Sequence, residues 1–264
     1  MKKRISCAVL CLALLMGLTV HAAAEEANVT ADVIIDGVPM TNFKAVLYGG
    51  TTYTSLYGVT LALRPDAVVT WEDNQLVARA EDFTMSARIG QNYMVVNGRY
   101  LYVPDGVKCD ETGDTLVPAR TLARALGAEI GWDKGVTYAT SGAPLSSGDE
   151  YYDAGNLDLL ARVIGHESGN QPLLGKIAVG NVILNRVASP SFPDTVYEVV
   201  YQKGQFPGAT DCTPNAESII AAKLCLDGAN AVPGAYWFNG ADEPCWASRN
   251  KATVAVIGGH AFYG

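Results

Sequence analysis

The feature that most constrains this chain is an internal repeat. Asp36-Gly37 recurs as Asn97-Gly98, Thr60-Leu61-Ala62 as Thr121-Leu122-Ala123, and Trp71-Glu72 as Trp132-Asp133. All three patches share one offset (97 − 36 = 61). A constant offset argues for two copies of one supersecondary unit, each needing the other to bury its apolar face. In each copy an apolar run is broken by Asp-Gly or Asn-Gly, the strongest short hairpin signal. Each unit therefore reads as hairpin, short amphipathic helix, then strand. In the second copy Pro118 opens the helix, Leu122, Ala123 and Leu126 make its apolar stripe, and Gly127 stops it. Trp71 and Trp132 are expected in the core, plugging the gap between helix and sheet; sugar stacking is the alternative. No cluster of acids, histidines or cysteines accompanies them.

The runs VIIDGVPM (33–40) and VVNG (95–98) sit in a segment, about residues 28–140, that resembles the copper amine oxidase N-terminal-like "stalk" domain of bacterial surface proteins. The resemblance implies a binding or spacing module. It implies no copper, and no ligand set is present, so no cofactor is expected.

Before the repeat, Lys2, Lys3 and Arg4 precede an uncharged apolar run from Ile5 to Val20, and Ala22, Ala23 and Ala24 follow. That order reads as a secretory signal peptide over 1–24, and the run is short for a membrane span. The protein is thus expected to be secreted, associated with a cell wall or spore, with no transmembrane segment once the signal is removed. Outside the cell disulfides are permitted. Of the cysteines left, Cys109, Cys212, Cys225 and Cys245, the pair Cys212–Cys245 is favoured because both lie in Gly/Pro-containing loops. Cys225 falls in a helical pattern and reads as a buried free thiol. The net charge of −8 lacks the basic footprint of a nucleic-acid binder. Removing the signal's three basic residues makes the balance 16 − 27 = −11. Half the residues are hydrophobic (49%), enough to build cores and to rule out wholesale disorder.

The small, polar stretch TSGAPLSSGDE (140–150) reads as a linker. The expected organisation is a repeat domain over 25–140, a linker over 141–150 and a catalytic domain over 151–264, each half folding on its own. In the second half Asn156 is the expected cap of a helix whose apolar stripe is Leu157, Leu160, Ala161 and Ile164. Glu167 continues that stripe by three residues and sits just before Ser168-Gly169 ends the helix. The alternative is an exposed Glu at a fraying end. Leu173 to Val187 is apolar nearly all round, so it is buried on most sides, and Gly175 and Gly180 allow close helix approach. Asn185 and Arg186 are its polar exceptions near the end; a buried Asn185 needs partners, and could fix Glu167 or a ligand. Asp194 is expected to cap a short helix and Thr213 a longer one, with Pro214 at its first position. Ala235–Phe238, Val254–Ile257 and His260–Tyr263 read as strands.

LLARVIGHE (159–167), GKIAVGNVILNRV (175–187), SFPDTVYEVVYQKGQF (191–206), AYWFN (235–239) and IGGHAFY (257–263) together resemble the spore-cortex-lytic cell-wall hydrolase family. The resemblance implies an α+β, lysozyme-like catalytic domain, peptidoglycan glycan strands as partner, and Glu167 as catalytic acid. It departs after that Glu, where relatives usually read Ala-Arg-Gly-Glu-Pro and this chain reads Ser-Gly-Asn-Gln-Pro. A Glu on an apolar face holds a proton more tightly, which suits protonation of a leaving glycosidic oxygen. No second carboxylate stands out: Asp211, Asp242 and Glu243 are loop acids. This favours a lytic transglycosylase over a two-carboxylate muramidase. Asn185, Gln205, Phe206, Tyr236, Phe238 and Asn239 are the candidate substrate-binding residues, mixing flat rings with amides. The rival classes are a zinc peptidase, for which HESGN lacks the second histidine of the motif; a cysteine peptidase using Cys245 and His260; and a non-catalytic wall-binding or structural protein.

Overall fold

The computed structural model describes residues 29–264, and the signal-peptide segment lies outside the described residues. The first copy of the repeat runs β1 (Thr30–Ile35), β2 (Val38–Pro39), β3 (Ala45–Tyr48), β4 (Thr51–Ser55), α1 (Leu56–Leu63), β5 (Val68–Glu72) and β6 (Gln75–Arg79). After β7 (Thr84–Ala87) the second copy repeats the order: β8 (Tyr93–Val96), β9 (Arg99–Tyr102), β10 (Lys108–Cys109), β11 (Thr115–Pro118), α2 (Ala119–Leu126), β12 (Ala128–Trp132) and β13 (Gly135–Thr140). Asp36-Gly37 and Asn97-Gly98 make the two hairpin turns, all four residues at positive φ. Ser55 caps α1 by accepting from the Gly58 amide at 2.8 Å. Gly127 ends α2 in the left-handed region (φ +66°), and a Cβ there would come 2.0 Å from the Ala143 carbonyl oxygen.

The copies are interleaved rather than stacked. β13, from the end of the second copy, pairs in parallel with β1 of the first. β6, from the end of the first, joins β8 through β7 in the sheet β5-β6-β7-β8-β9. Equivalent strands β4 and β11 pair antiparallel with Ser55 opposite Leu116, and these two residues are themselves repeat equivalents (116 − 55 = 61). A local two-fold axis therefore passes through that pair. The shared core includes Tyr53, Leu56, Met85, Met94, Leu116 and Leu122, all 2% exposed or less.

The expected core placement of the tryptophans is corrected: Trp71 is 53% and Trp132 66% exposed. Val69 and Ile130, two positions earlier on the same strand faces, pack on the core instead. The eight-residue helices are only about 12 Å long, so both strands outrun them and the indoles overhang.

The second half comprises α3 (Gly148–Tyr151), α4 (Ala154–Ser168), α5 (Leu173–Val187), α6 (Val196–Tyr201), a 3-10 turn at Ala209–Asp211, α7 (Ala216–Leu226), β14 (Trp237–Gly240), α8 (Trp246–Asn250), β15 (Thr253–Ile257) and β16 (His260–Tyr263). Strand order in its small sheet is β14-β16-β15. Helices and a separate antiparallel sheet make this half α+β, as expected of a lysozyme-like domain. Three caps differ from expectation: Asp153 caps α4, Thr195 caps α6 and Asn215 caps α7. Each accepts from the backbone N–H three residues on, a contact that Asn156, Asp194 and Thr213 do not make. α5 is the buried helix expected. A Cβ at Gly180 would lie 2.8 Å from Cys225 Sγ and 2.9 Å from Ile164 Cδ1, so α4, α5 and α7 meet there without room for a methyl group.

The halves share a polar joint. Asp227, its side chain 1% exposed, closes α7 and accepts from Arg99 Nη2 at 2.5 Å and Arg124 Nη2 at 2.8 Å. The Tyr152 hydroxyl donates to the same carboxylate. Tyr93, Tyr100 and Tyr102 of the five-stranded sheet pack against the helical core. Residues 141–147 run along the repeat domain, where Leu145 donates its amide to the Ala125 carbonyl and accepts from Asn97 Nδ2.

Candidate active site

α4 delivers Glu167 to its last turn because Leu160, Ala161, Val163 and Ile164 anchor the helix in the core. The buried Ser168 hydroxyl donates to the Ile164 carbonyl and closes the helix behind it. Glu167 is half-buried and has no hydrogen-bond or ion-pair partner among the described residues. Burial pushes its carboxyl above the ordinary value of 4.5; the neighbouring His166 pulls the other way, and less.

Glu167 lines a cleft of about 300 Å³ with Arg186 from the end of α5, the loop 204–207, β14 and His260 of β16. It is the only carboxylate in that lining. The loop is shaped by three positive φ angles: Gly204 (+81°), Phe206 (+44°) and Gly208 (+79°). The left-handed region is costly for a bulky residue, on the order of 1–3 kcal/mol. Packing holds Phe206 there: its ring stacks on Phe238 (6.4 Å, 25°) and the Arg186 guanidinium lies 5.7 Å from it.

Arg186 ties the cleft together. Its Nε donates to the Tyr236 carbonyl and its Nη1 to Gln205 Oε1, each at 2.8 Å, fastening the loop to β14. It has no carboxylate partner among the described residues, and burial lowers its pKa to about 10. Gln205 thus spends its carbonyl end on Arg186 and keeps its amide NH₂ for a ligand. Asn239 does the converse, donating through Nδ2 to the Glu243 carbonyl and keeping its oxygen free. Burial lowers the His260 pKa, with Glu243 opposing, and the His260 Nδ1 is buried without a partner. Glu243 stands at the rim: a Cβ on Gly240 would lie 3.1 Å from its Oε2.

Of the candidate binding residues, Gln205, Phe206, Phe238 and Asn239 line the cleft with Glu167; Asn185 and Tyr236 do not. Asn185 donates Nδ2 to the Val232 and Ala235 carbonyls, bracing the loop that leads into β14. The Tyr236 ring stacks on Phe192 (5.5 Å, 19°). Arg186, Trp237 and His260 are cleft residues that sequence reasoning did not place there. A charge near the end of a largely apolar helix is the available signal for Arg186.

The expected Cys212–Cys245 bridge is not formed, and the four described cysteines are free. Three of the four have defined surroundings, while Cys109 is exposed. Cys212 lies against Gly165 of α4, whose Cβ would be 3.3 Å from its sulfur. Cys245 caps α8, its Sγ accepting from the Ser248 amide; it has no hydrogen bond to His260, the base a cysteine peptidase would require. Cys225 is buried, and that burial pushes its thiol well up.

Residues 170–263 match the Cell Wall Hydrolase family model, and residues 34–138 match the Copper amine oxidase N-terminal domain. The first match begins just past Glu167. The chain is 33% identical over 116 residues to a spore cortex-lytic enzyme of Bacillus cereus, covering 42% of this chain and 45% of that relative. It is 31% identical to a spore cortex-lytic enzyme of Halalkalibacterium halodurans, covering 35% of it. The chain thus spans less than half the length of these curated relatives. Among solved structures it is similar to the catalytic domain of the Bacillus cereus SleB protein: 30% identity, 43% of this chain, 92% of that one, TM-score 0.40. The chain thus carries a cell wall hydrolase domain over residues 170–263, behind a copper amine oxidase N-terminal-type domain over residues 34–138.

Proposed function

We propose that this chain is a secreted enzyme that cuts peptidoglycan glycan strands between N-acetylmuramic acid and N-acetylglucosamine, in spore cortex or wall remodelling. The observation that carries the reading is Glu167: a half-buried carboxylic acid without a cationic partner, facing a cleft of rings and amides. Its raised pKa keeps a proton available for the departing glycosidic oxygen. As that bond breaks, the acetamido oxygen of the muramic residue supports C1. The Glu167 carboxylate then takes the proton of the C6 hydroxyl, whose oxygen closes on C1 to give a 1,6-anhydro end. One residue serves as acid and then base, so no second carboxylate is needed. Phe206, Phe238 and Trp237 supply sugar-stacking faces, with Gln205 NH₂ and Asn239 Oδ1 as donor and acceptor.

Glu243 at the rim beside His260 favours a second reading, a hydrolytic muramidase in which it activates a water. Mass spectrometry of digested, purified peptidoglycan separates the two. Anhydro ends, with activity kept in Glu243→Gln, are the expected result. Reducing ends, with activity lost in that variant, establish the hydrolase, and freed stem peptides defeat both.

A further inference from the structure

The repeat is symmetric in backbone but not in what fills it. In the first copy the Phe43 ring lies against the first turn of α1; a Cβ on Gly58 would be 2.4 Å from it. The equivalent of Gly58 is Ala119, and there the space is open. It forms a pocket of about 380 Å³ between the tip of β12, the start of β4 and the first turn of α2. Its lining combines the overhanging Trp132 indole, the exposed Arg120, the hydroxyls of Thr51 and Thr52, and Ile130. Arg120 has no ion pair or hydrogen bond among the described residues, and its equivalent in the first copy is the apolar Val59. A flat aromatic face, an unspent cation and paired hydroxyls in one concavity recognise a sugar ring bearing an acidic substituent.

We propose that this pocket is a second glycan site, taking a muramic-acid residue of the peptidoglycan strand, its carboxyl- or carbonyl-bearing side group toward Arg120. The choice of this glycan rests on the reading of the Glu167 cleft as a peptidoglycan site. Because the joint at Asp227 fixes the repeat domain on α7, the pocket is held at a set position relative to the cleft. A strand caught at one site is then presented to the other at high effective concentration.

The test uses the full chain with Glu167→Gln, so that polymer is bound and not cut, and insoluble peptidoglycan stripped of its covalently attached wall polymers. In pelleting titrations, Trp132→Ala and Arg120→Ala should each weaken binding on the order of tenfold. Trp71→Ala, whose indole is also exposed but stands in the filled copy, should bind as the parent. Parental binding by Trp132→Ala, or an equal loss in Trp71→Ala, overturns the proposal. With Glu167 restored, Trp132→Ala should cut short soluble glycan fragments at the parental rate. If the parent cuts none, the cleft reading fails alone, and the difference between Trp132→Ala and Trp71→Ala still decides this one.

Discussion

Glu167 and Asp227 are both carboxylates withdrawn from water, and the chain treats them in opposite ways. Asp227 is met by two guanidiniums and a phenol. Glu167, 15 residues along the chain from Tyr152 of that joint (167 − 152 = 15), is met by none among the described residues. A buried charge with every lone pair answered is a fastener, because removing any member strands the others. A carboxyl left unanswered in a half-dry cleft costs stability and holds its proton to higher pH than a solvated one, the direction acid catalysis needs. The difference teaches that burial alone does not single out a candidate acid; burial without an ion-pair partner is what sets Glu167 apart from Asp227.

The comparison breaks most sharply at Glu167. Glu167→Gln keeps size and hydrogen bonding but has no proton to give, so muropeptide release should fall about 10²–10⁴-fold in a protein that still folds. Undiminished release by the folded variant removes Glu167 as the acid. Asp227→Ala should do the reverse. It strands Arg99, whose side chain is 5% exposed, and should cost about 3–5 kcal/mol in denaturant unfolding. Activity per folded molecule should be kept, because neither Asp227 nor its partners Arg99, Arg124 and Tyr152 line the Glu167 cleft. A loss of activity without a loss of stability would show that the joint serves the chemistry and not the architecture.

The smallest effect is a pH dependence. The Glu167 carboxyl titrates higher in the fold than its ordinary 4.5. Its favourable contribution is complete below that value and is lost as pH rises through the folded pKa. Glu167→Gln should therefore match the parent at pH 4 and exceed it at pH 8, by under about 1 kcal/mol because half the group still meets water. Thermal melts at the two pH values check the sign; a variant less stable at pH 8 would mean an unrecognised partner for the carboxylate.

What was legible in the sequence was what local periodicity encodes. The apolar run of α5 shows from Leu173 to Val187, and the stripe of α4 carries Glu167 on its own spacing. The repeat shows through turn residues at a fixed offset. The tryptophans were misplaced because strand alternation gives the face and not where the covering helix stops. The sequence allows Asn185 to reach toward the site, yet its partners are carbonyls 47 and 50 residues away. Arg99 and Asp227 stand 128 residues apart and carry no local pattern that joins them. Caps slipped because Asn, Asp and Thr crowd the helix starts, and only backbone geometry selects among them.

The axis through Ser55 and Leu116 has a consequence for how such a domain came to exist and how it folds. One 61-residue unit alone would end in a hairpin whose natural neighbour lies in the other copy, leaving sheet edges open to any equivalent chain. Two separate units could satisfy each other only by exchanging those hairpins, as a strand-swapped dimer does. Fusion in one chain makes that exchange intramolecular. The closing contact, β1 with β13, then joins the two extremes of the domain in sequence, a pairing of high contact order that must await nearly everything between them.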